Sequence, residues 1–218
     1  SDHNFVTASK FQARSISADP ANSKLLEGLM ISFIAQGSVD EAVSIAEVYK
    51  DTGSVSQISQ MILLASMIKR GQTEAFLNFV KNASEITPIL KDLLSAWIRM
   101  GLDDEVNANR IFDKTAKVQG MGQFANFHRA MSQLAAGKIE RAQRTFDLIH
   151  SDQANPTRRS VIYHTKILLS QSKFKEAQQL LEKWFGPTFD PEIEKLYFNA
   201  VNEQAYPKNL FPKTDIAA

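Results

Sequence analysis

The feature that most constrains this chain is a recurrence. The stretch "QGSVDEA" at Gln36 returns as "RGQTEAF" at Arg70, "MGLDDEV" at Met100, "AGKIERA" at Ala136 and "QSKFKEA" at Gln171. Each copy follows one apolar periodic segment and opens another. The punctuating residues, Gly37, Gly71, Gly101, Gly137 and Ser172, stand 34, 30, 36 and 35 residues apart. Such a period is expected when one helix pair is repeated and stacked, because a lone pair cannot bury its own apolar face. A glycine before polar residues can also cradle a ligand, but five copies set between apolar segments read as turns.

Each unit reads as helix, turn, helix. Leu25, Leu26, Leu29, Met30 and Phe33 form one stripe at helical period, whereas a strand would alternate. Gly37 is suited to the left-handed backbone that ends a helix. Ser38 with Glu41 three residues on predicts a capping box, and Ala42, Ile45, Ala46 and Tyr49 continue as a buried face. Asp19, Thr87, Asn155 and Asp190 each precede a proline, which predicts four further helix starts. Strand signals are absent, so about 11 or 12 helices and no sheet are expected.

Composition agrees with a folded, all-α chain: 218 residues, 44% apolar and 22% charged. The 25 basic and 24 acidic residues leave a net charge of +1, which is no general footprint for nucleic acid. There is no cysteine, which excludes disulfides and thiolate chemistry. The longest apolar run, Met61 to Ile68, is 8 residues, far below the ~20 needed to span a bilayer.

On these residues the units resemble tetratricopeptide repeats. In that family a small residue follows the glycine by five, as Ala42, Ala142 and Ala177 do here, and "SKFKEAQQLLEKWF" with Ala177, Leu181 and Trp184 is the best match. Leu26, Leu29 and Phe33, then Leu63 and Met67, then Leu90, Leu93 and Trp97 supply the large positions of the first helices. The resemblance runs from about Phe5 to Asp190. Departures lie mid-way along the first helix, where Met30, Leu64, Leu94 and Thr165 replace the small residue and only Ala130 conforms. The third unit also places Asn107 and Arg110 where apolar residues belong. The resemblance implies a right-handed α-solenoid of about five to six stacked repeats over residues 1–204. Their approximate bounds are 23–56, 57–86, 87–122, 123–157 and 158–190, with partial repeats at both ends and an extended tail over 205–218. The first 18 residues read as a second helix without its partner.

Catalytic and cofactor motifs are not found, and neither an enzyme nor a cofactor is expected. "QGMGQF" lacks the strand and further glycine of a phosphate loop, so Gly120 and Gly122 read as a helix stop. His128 and His164 are placed to approach each other on neighbouring first helices, but no third ligand joins them and no metal is predicted. Asp103, Asp104 and Glu105 read as a helix first turn, where carboxylates complement free amides.

A surface therefore remains as the candidate. In stacked pairs of this family the first helices line a concave groove. Counting back from each turn assigns to it Glu27, Ile31 and Ile34, then Met61, Ala65 and Lys69, then Lys91, Ser95 and Arg99, and finally Phe127, Met131, Arg159, Ile162 and Lys166. Cations among apolar side chains suit a protein or peptide carrying acidic and apolar residues. Lys91, Ser95, His128 and Arg159 only approximate the carboxylate clamp known in the family. The expected function is a non-catalytic scaffold or adaptor. The alternatives are an accessory domain of a larger enzyme or envelope polymer-processing assembly, and a self-associating solenoid. The start at Ser1, without an initiator methionine, points to an upstream segment such as an export signal. With the likeness to bacterial tetratricopeptide proteins, it favours the bacterial periplasm over the cytoplasm.

Overall fold

A computed structural model describes residues 2–150, 156–186, 190–208 and 210. Every regular element among them is an α-helix, twelve in all, with no strand. In chain order these are α1 (Asp2–Ala18), α2 (Ser23–Ala35), α3 (Val39–Asp51), α4 (Gln57–Lys69), α5 (Thr73–Asn82) and α6 (Pro88–Gly101). Then come α7 (Glu105–Ala116), α8 (Gly122–Ala135), α9 (Ile139–Ile149), α10 (Arg158–Ser170), α11 (Phe174–Phe185) and α12 (Pro191–Val201). Two compact units divide the chain, Ser1–Ile98 and Arg99–Asp215, and the division falls inside α6. In the first unit α1 to α5 pack consecutively and α2 also meets α4; in the second α7 to α12 do the same and α10 meets α12. Consecutive packing of this kind is compatible with a helical repeat.

One turn recurs after every even-numbered helix. Gly37, Gly71, Asp103, Gly137, Ser172 and Glu203 all have φ between 53° and 76°. The amide after each donates to a carbonyl five residues back: Ser38 to Phe33, Gln72 to Met67, Asp104 to Arg99, Lys138 to Gln133, Lys173 to Leu168 and Gln204 to Asn199. These bonds satisfy carbonyls that the helix end leaves without partners. The next residue then starts the odd-numbered helix with one shared backbone geometry, as in Gln72 (φ −85°, ψ 58°) and Lys173 (φ −88°, ψ 61°).

The third unit corrects the sequence reading. Gly101 is the last residue of α6, and Asp103 takes the left-handed position two residues later. Measured from the left-handed residues, the spacings become 34, 32, 34 and 35. The irregularities of this unit then vanish. Five residues after each turn stand Ala42, Phe76, Ala108, Ala142 and Ala177, and nine after stand Ala46, Val80, Phe112, Phe146 and Leu181, all buried. Seven before the turn are Met30, Leu64, Ala96, Ala130 and Thr165, also buried. Asn107 and Arg110 are half-buried and exposed, and Leu94 is replaced by Ala96 at the close contact. These positions are filled differently in each unit: Met30 sits in one cluster with Ala42 and Ala46, whereas Leu64 joins the larger Phe76 and Val80.

Helix starts follow capping chemistry with three further corrections. Ser38 precedes α3 but makes no side-chain cap, and its amide is already spent on Phe33, so the predicted box with Glu41 does not form. A capping box does form at Ser56 and Ser59 ahead of α4. Asp19 and Pro20 lie in a turn, and Asn22 caps α2 by accepting from Leu25 at 3.2 Å. Thr157 caps α10 beyond Pro156, while Asn155 lies outside the described residues. Asp190 does cap α12 with Pro191 in its first turn, and Pro88 is the first residue of α6. Gly120 is left-handed after α7 (φ 77°), whereas Gly122 opens α8 instead of ending a helix.

Candidate functional site

In the first unit, the predicted surface residues lie on α2, α4 and α6. Ile31 is exposed, as is its neighbour Ile34, and Glu27 is half-buried. Met61 is half-buried against the core formed by Leu64, Phe76 and Val80. Lys69 is exposed and pairs with Asp40 of α3 at 3.3 Å, a solvated contact of little energetic weight. Lys91 and Ser95 are half-buried. Both were counted from Gly101; with Asp103 as the turn, the residues matching Glu27 and Ile31 are Leu93 and Trp97, which are buried and half-buried.

In the second unit, Arg99 is engaged at its own turn, donating to Asp104 Oδ2 at 2.7 Å. Side-chain bonds from Asn107, then from Arg99, hold the Asp104 carboxyl below its usual range. Arg99 thus clasps the turn between α6 and α7. Met131 and Ile162 are only 5% and 4% exposed. Both face the packing between helices, because α8 and α10 are covered on more than one side, and they offer little to a partner.

The structure brings together Phe127, Arg159 and Lys166 with three residues that sequence counting passed over. Phe127 meets Tyr163 edge-on with ring centroids 6.4 Å apart, and His128 edge-on at 5.7 Å. His128 also packs edge-on against Phe124, which is 48% exposed. Lys166 lies over Tyr163 at 5.3 Å and over Tyr206 at 5.7 Å, and its Nζ is 3.7 Å from Glu192. Burial and then the charge of exposed Arg159 lower the His128 pKa, so this ring resists protonation. The result is a surface on α8 and α10 where Phe124, His128, Phe127 and Tyr163 form a chain of ring contacts, with Lys166 over Tyr163 and the charge of Arg159 felt at His128. Such a surface gains from both desolvation and cation–π contact. Phe124 occupies the same place in α8 as Arg159, which the sequence reading assigns to the surface, does in α10: each stands thirteen residues before its turn, Gly137 or Ser172.

The histidine pair that forms is His150 with His164, not His128 with His164. Their Nδ1 atoms are 2.7 Å apart, one ring donating to the other, and His150 Nε2 is 3.1 Å from Ser160 Oγ. His164 Nε2 lies 3.3 Å from Asp147, a contact that holds the Asp147 carboxyl below its usual range. Both rings are buried and stack near Phe146, and burial, followed by the charge of His164, lowers the His150 pKa to about 3. This is a packed polar cluster of the α9–α10 core. No group of three or more His, Cys, Asp or Glu among the described residues is placed to hold a metal ion. No helix among them is long and apolar enough to cross a membrane. No family model matches the chain. No curated protein matches it either.

Proposed function

We propose that this chain is a tetratricopeptide-like helical-repeat protein, without catalytic activity, that holds a protein partner on the surface of its even-numbered helices. The observation that carries the reading is the surface on α8 and α10, where Phe124, His128, Phe127 and Tyr163 touch in series and Lys166 lies over Tyr163, with exposed Arg159 on the same α10. Aromatic side chains and arginines are the groups that most often anchor protein interfaces. This surface suits a peptide or helix bearing apolar and acidic residues, the glutamates or aspartates meeting Arg159 and an apolar side chain lying on Phe124. In the first unit, exposed Ile31 and Ile34 on α2 extend the apolar character of these helices.

The test is a selection from a random peptide display library on the full chain, followed by affinity measurements with Phe124→Ser and Arg159→Glu variants. Both side chains are exposed, so the fold should survive. Enriched peptides that lose about tenfold or more in affinity to each variant support the reading. Peptides bound equally by the parent and both variants refute it.

A further inference from the structure

A second candidate surface lies in the second unit, on the odd-numbered helices. Between α7, α8 and α9 there is a cavity of about 410 Å³ lined by Asn109, Arg129, Gln133, Arg141, Arg144 and Leu148. Three guanidinium groups therefore border one hollow. Arg129 donates to Asp113 at 2.7 Å, and Arg141 reaches Glu105 at 3.5 Å, a carboxylate that also takes Lys138. Arg144 forms no ion pair among the described residues. Three cations thus meet two carboxylates here and Arg144 adds a fourth positive charge, in a chain whose overall charge is +1.

Two buried polar atoms on this lining lack a hydrogen-bond partner, the Nε donor of Arg129 and the Oδ1 acceptor of Asn109. A buried donor left unpaired is costly, and a ligand carboxylate can satisfy it. Gln133 is fixed beside them because its Oε1 accepts from Thr145 at 2.8 Å. Beyond the charges, one of the most exposed large apolar side chains of the described residues lines the hollow, Leu148 on α9 at 67%.

We infer that this hollow is a docking site for an acidic, amphipathic segment of a protein partner, whose carboxylates enter among Arg129, Arg141 and Arg144 while its apolar residues cover Leu148. A guanidinium offers several N–H donors to carboxylates, and Arg129 spends one of them on Asp113. Charge complementarity selects an acidic occupant, and exposed Leu148 selects one with apolar residues. A nucleic-acid backbone fits less well, because Glu105 and Asp113 sit within the patch and would repel its phosphates.

The experiment uses the full chain and a fluorescent, monomeric peptide of about fifteen Glu, Leu and Ala residues, with Glu and Leu on one helical face. Anisotropy titrations compare the parent with Arg144→Glu, with Arg141→Glu/Arg144→Glu, and with Leu148→Ser. All three side chains are exposed, and circular dichroism verifies that each variant is folded. The expected result is a loss of about tenfold or more in the double charge variant and a smaller loss for Leu148→Ser, both persisting in a Phe124→Ser/Arg159→Glu background that removes the surface of the even-numbered helices. Equal peptide binding by the parent and the double variant overturns the inference. So does tighter binding of a single-stranded oligonucleotide than of the peptide. Loss confined to the Phe124 and Arg159 variants would return the acidic ligand to the even-numbered helices and leave the proposed function standing without this site.

Discussion

Ser172 stands where Gly37, Gly71 and Gly137 stand in other turns, at φ 59°. An L-residue in the left-handed region costs about 1–2 kcal/mol, because its Cβ approaches the following carbonyl oxygen. Glycine avoids that contact but is more flexible when unfolded, so Ser172→Gly should stabilise the second unit by a net ~0.5–1 kcal/mol. The reverse substitution isolates the same cost. A Cβ built on Gly137 meets nothing within 4 Å, so Gly137→Ala adds no clash and should destabilise by the backbone strain less the entropy that alanine removes from the unfolded chain, a net ~0.5–1 kcal/mol. Gly122 is the control: it opens α8 without positive φ, its added Cβ meets only the Ala116 carbonyl oxygen at 3.4 Å, and Gly122→Ala should be neutral or slightly stabilising. Urea unfolding followed by Trp184 fluorescence, in a Trp97→Phe background, reads the second unit alone. If Gly137→Ala costs no more than Gly122→Ala, or Ser172→Gly gains nothing, backbone handedness is not what sets these turns.

The buried phenylalanines should dominate the core: Phe112→Ala and Phe146→Ala are each expected to cost ~3–5 kcal/mol in chemical denaturation. Equally large losses from Val106→Ala, at an exposed position on the same α7, would contradict the packing register. Acid should destabilise the second unit through His150. Its pKa is about 3 in the fold against 6.5 when free, so only the unfolded chain takes up this proton between those values. This contribution is complete above about pH 6.5 and is lost as pH falls towards 3, with a slope approaching 1.4 kcal/mol per pH unit at most. The lowered pKa of Asp147 adds a loss of the same sign in stronger acid. A His150→Gln variant should show a flatter profile between pH 6.5 and 4, and identical slopes would exclude the histidine as the source. Finally, Arg158 makes three bonds to Asp190 and one to Glu192, tying the start of α10 to that of α12. Arg158→Ala should destabilise less than Asp190→Ala, which also removes a cap, and only the wild-type protein should weaken measurably as salt is raised; equal salt dependence in wild type and Arg158→Ala would refute a role for this pair.

The helices were legible because their apolar stripes repeat at a period that no strand can use. The third turn was misplaced by two residues because glycine is the commonest left-handed residue but not the only one: Asp103 adopts that backbone while Gly101 remains helical. That slip carried Lys91 and Ser95 into the candidate surface in place of positions that pack inward. Ser38 misled for a different reason. A capping box is a local pattern, but the amide it requires had already been taken by Phe33, a demand visible only once the turn is built. The His150–His164 contact joins residues fourteen apart on two helices, and nothing in their spacing distinguishes it from the His128–His164 approach; the packing angle of α9 on α10 decides. The hollow among Arg129, Arg141 and Arg144 was not legible either, since it draws on three helices and on the absence of bulk between them.

The recurring turn also bears on how the chain acquires its structure. Each turn closes within six residues, and α1 to α5 in the first unit and α7 to α12 in the second pack on their immediate neighbours, so little entropy must be lost in bringing distant segments together before contacts form. Chains of that kind fold quickly and can begin at more than one place. Hydrogen exchange should then reveal protection arriving pair by pair, with the buried amides of α10 among the last to open. A lesion such as Phe112→Ala would speed the unraveling of its own pair first, giving a graded loss of order along the second unit instead of a single collapse.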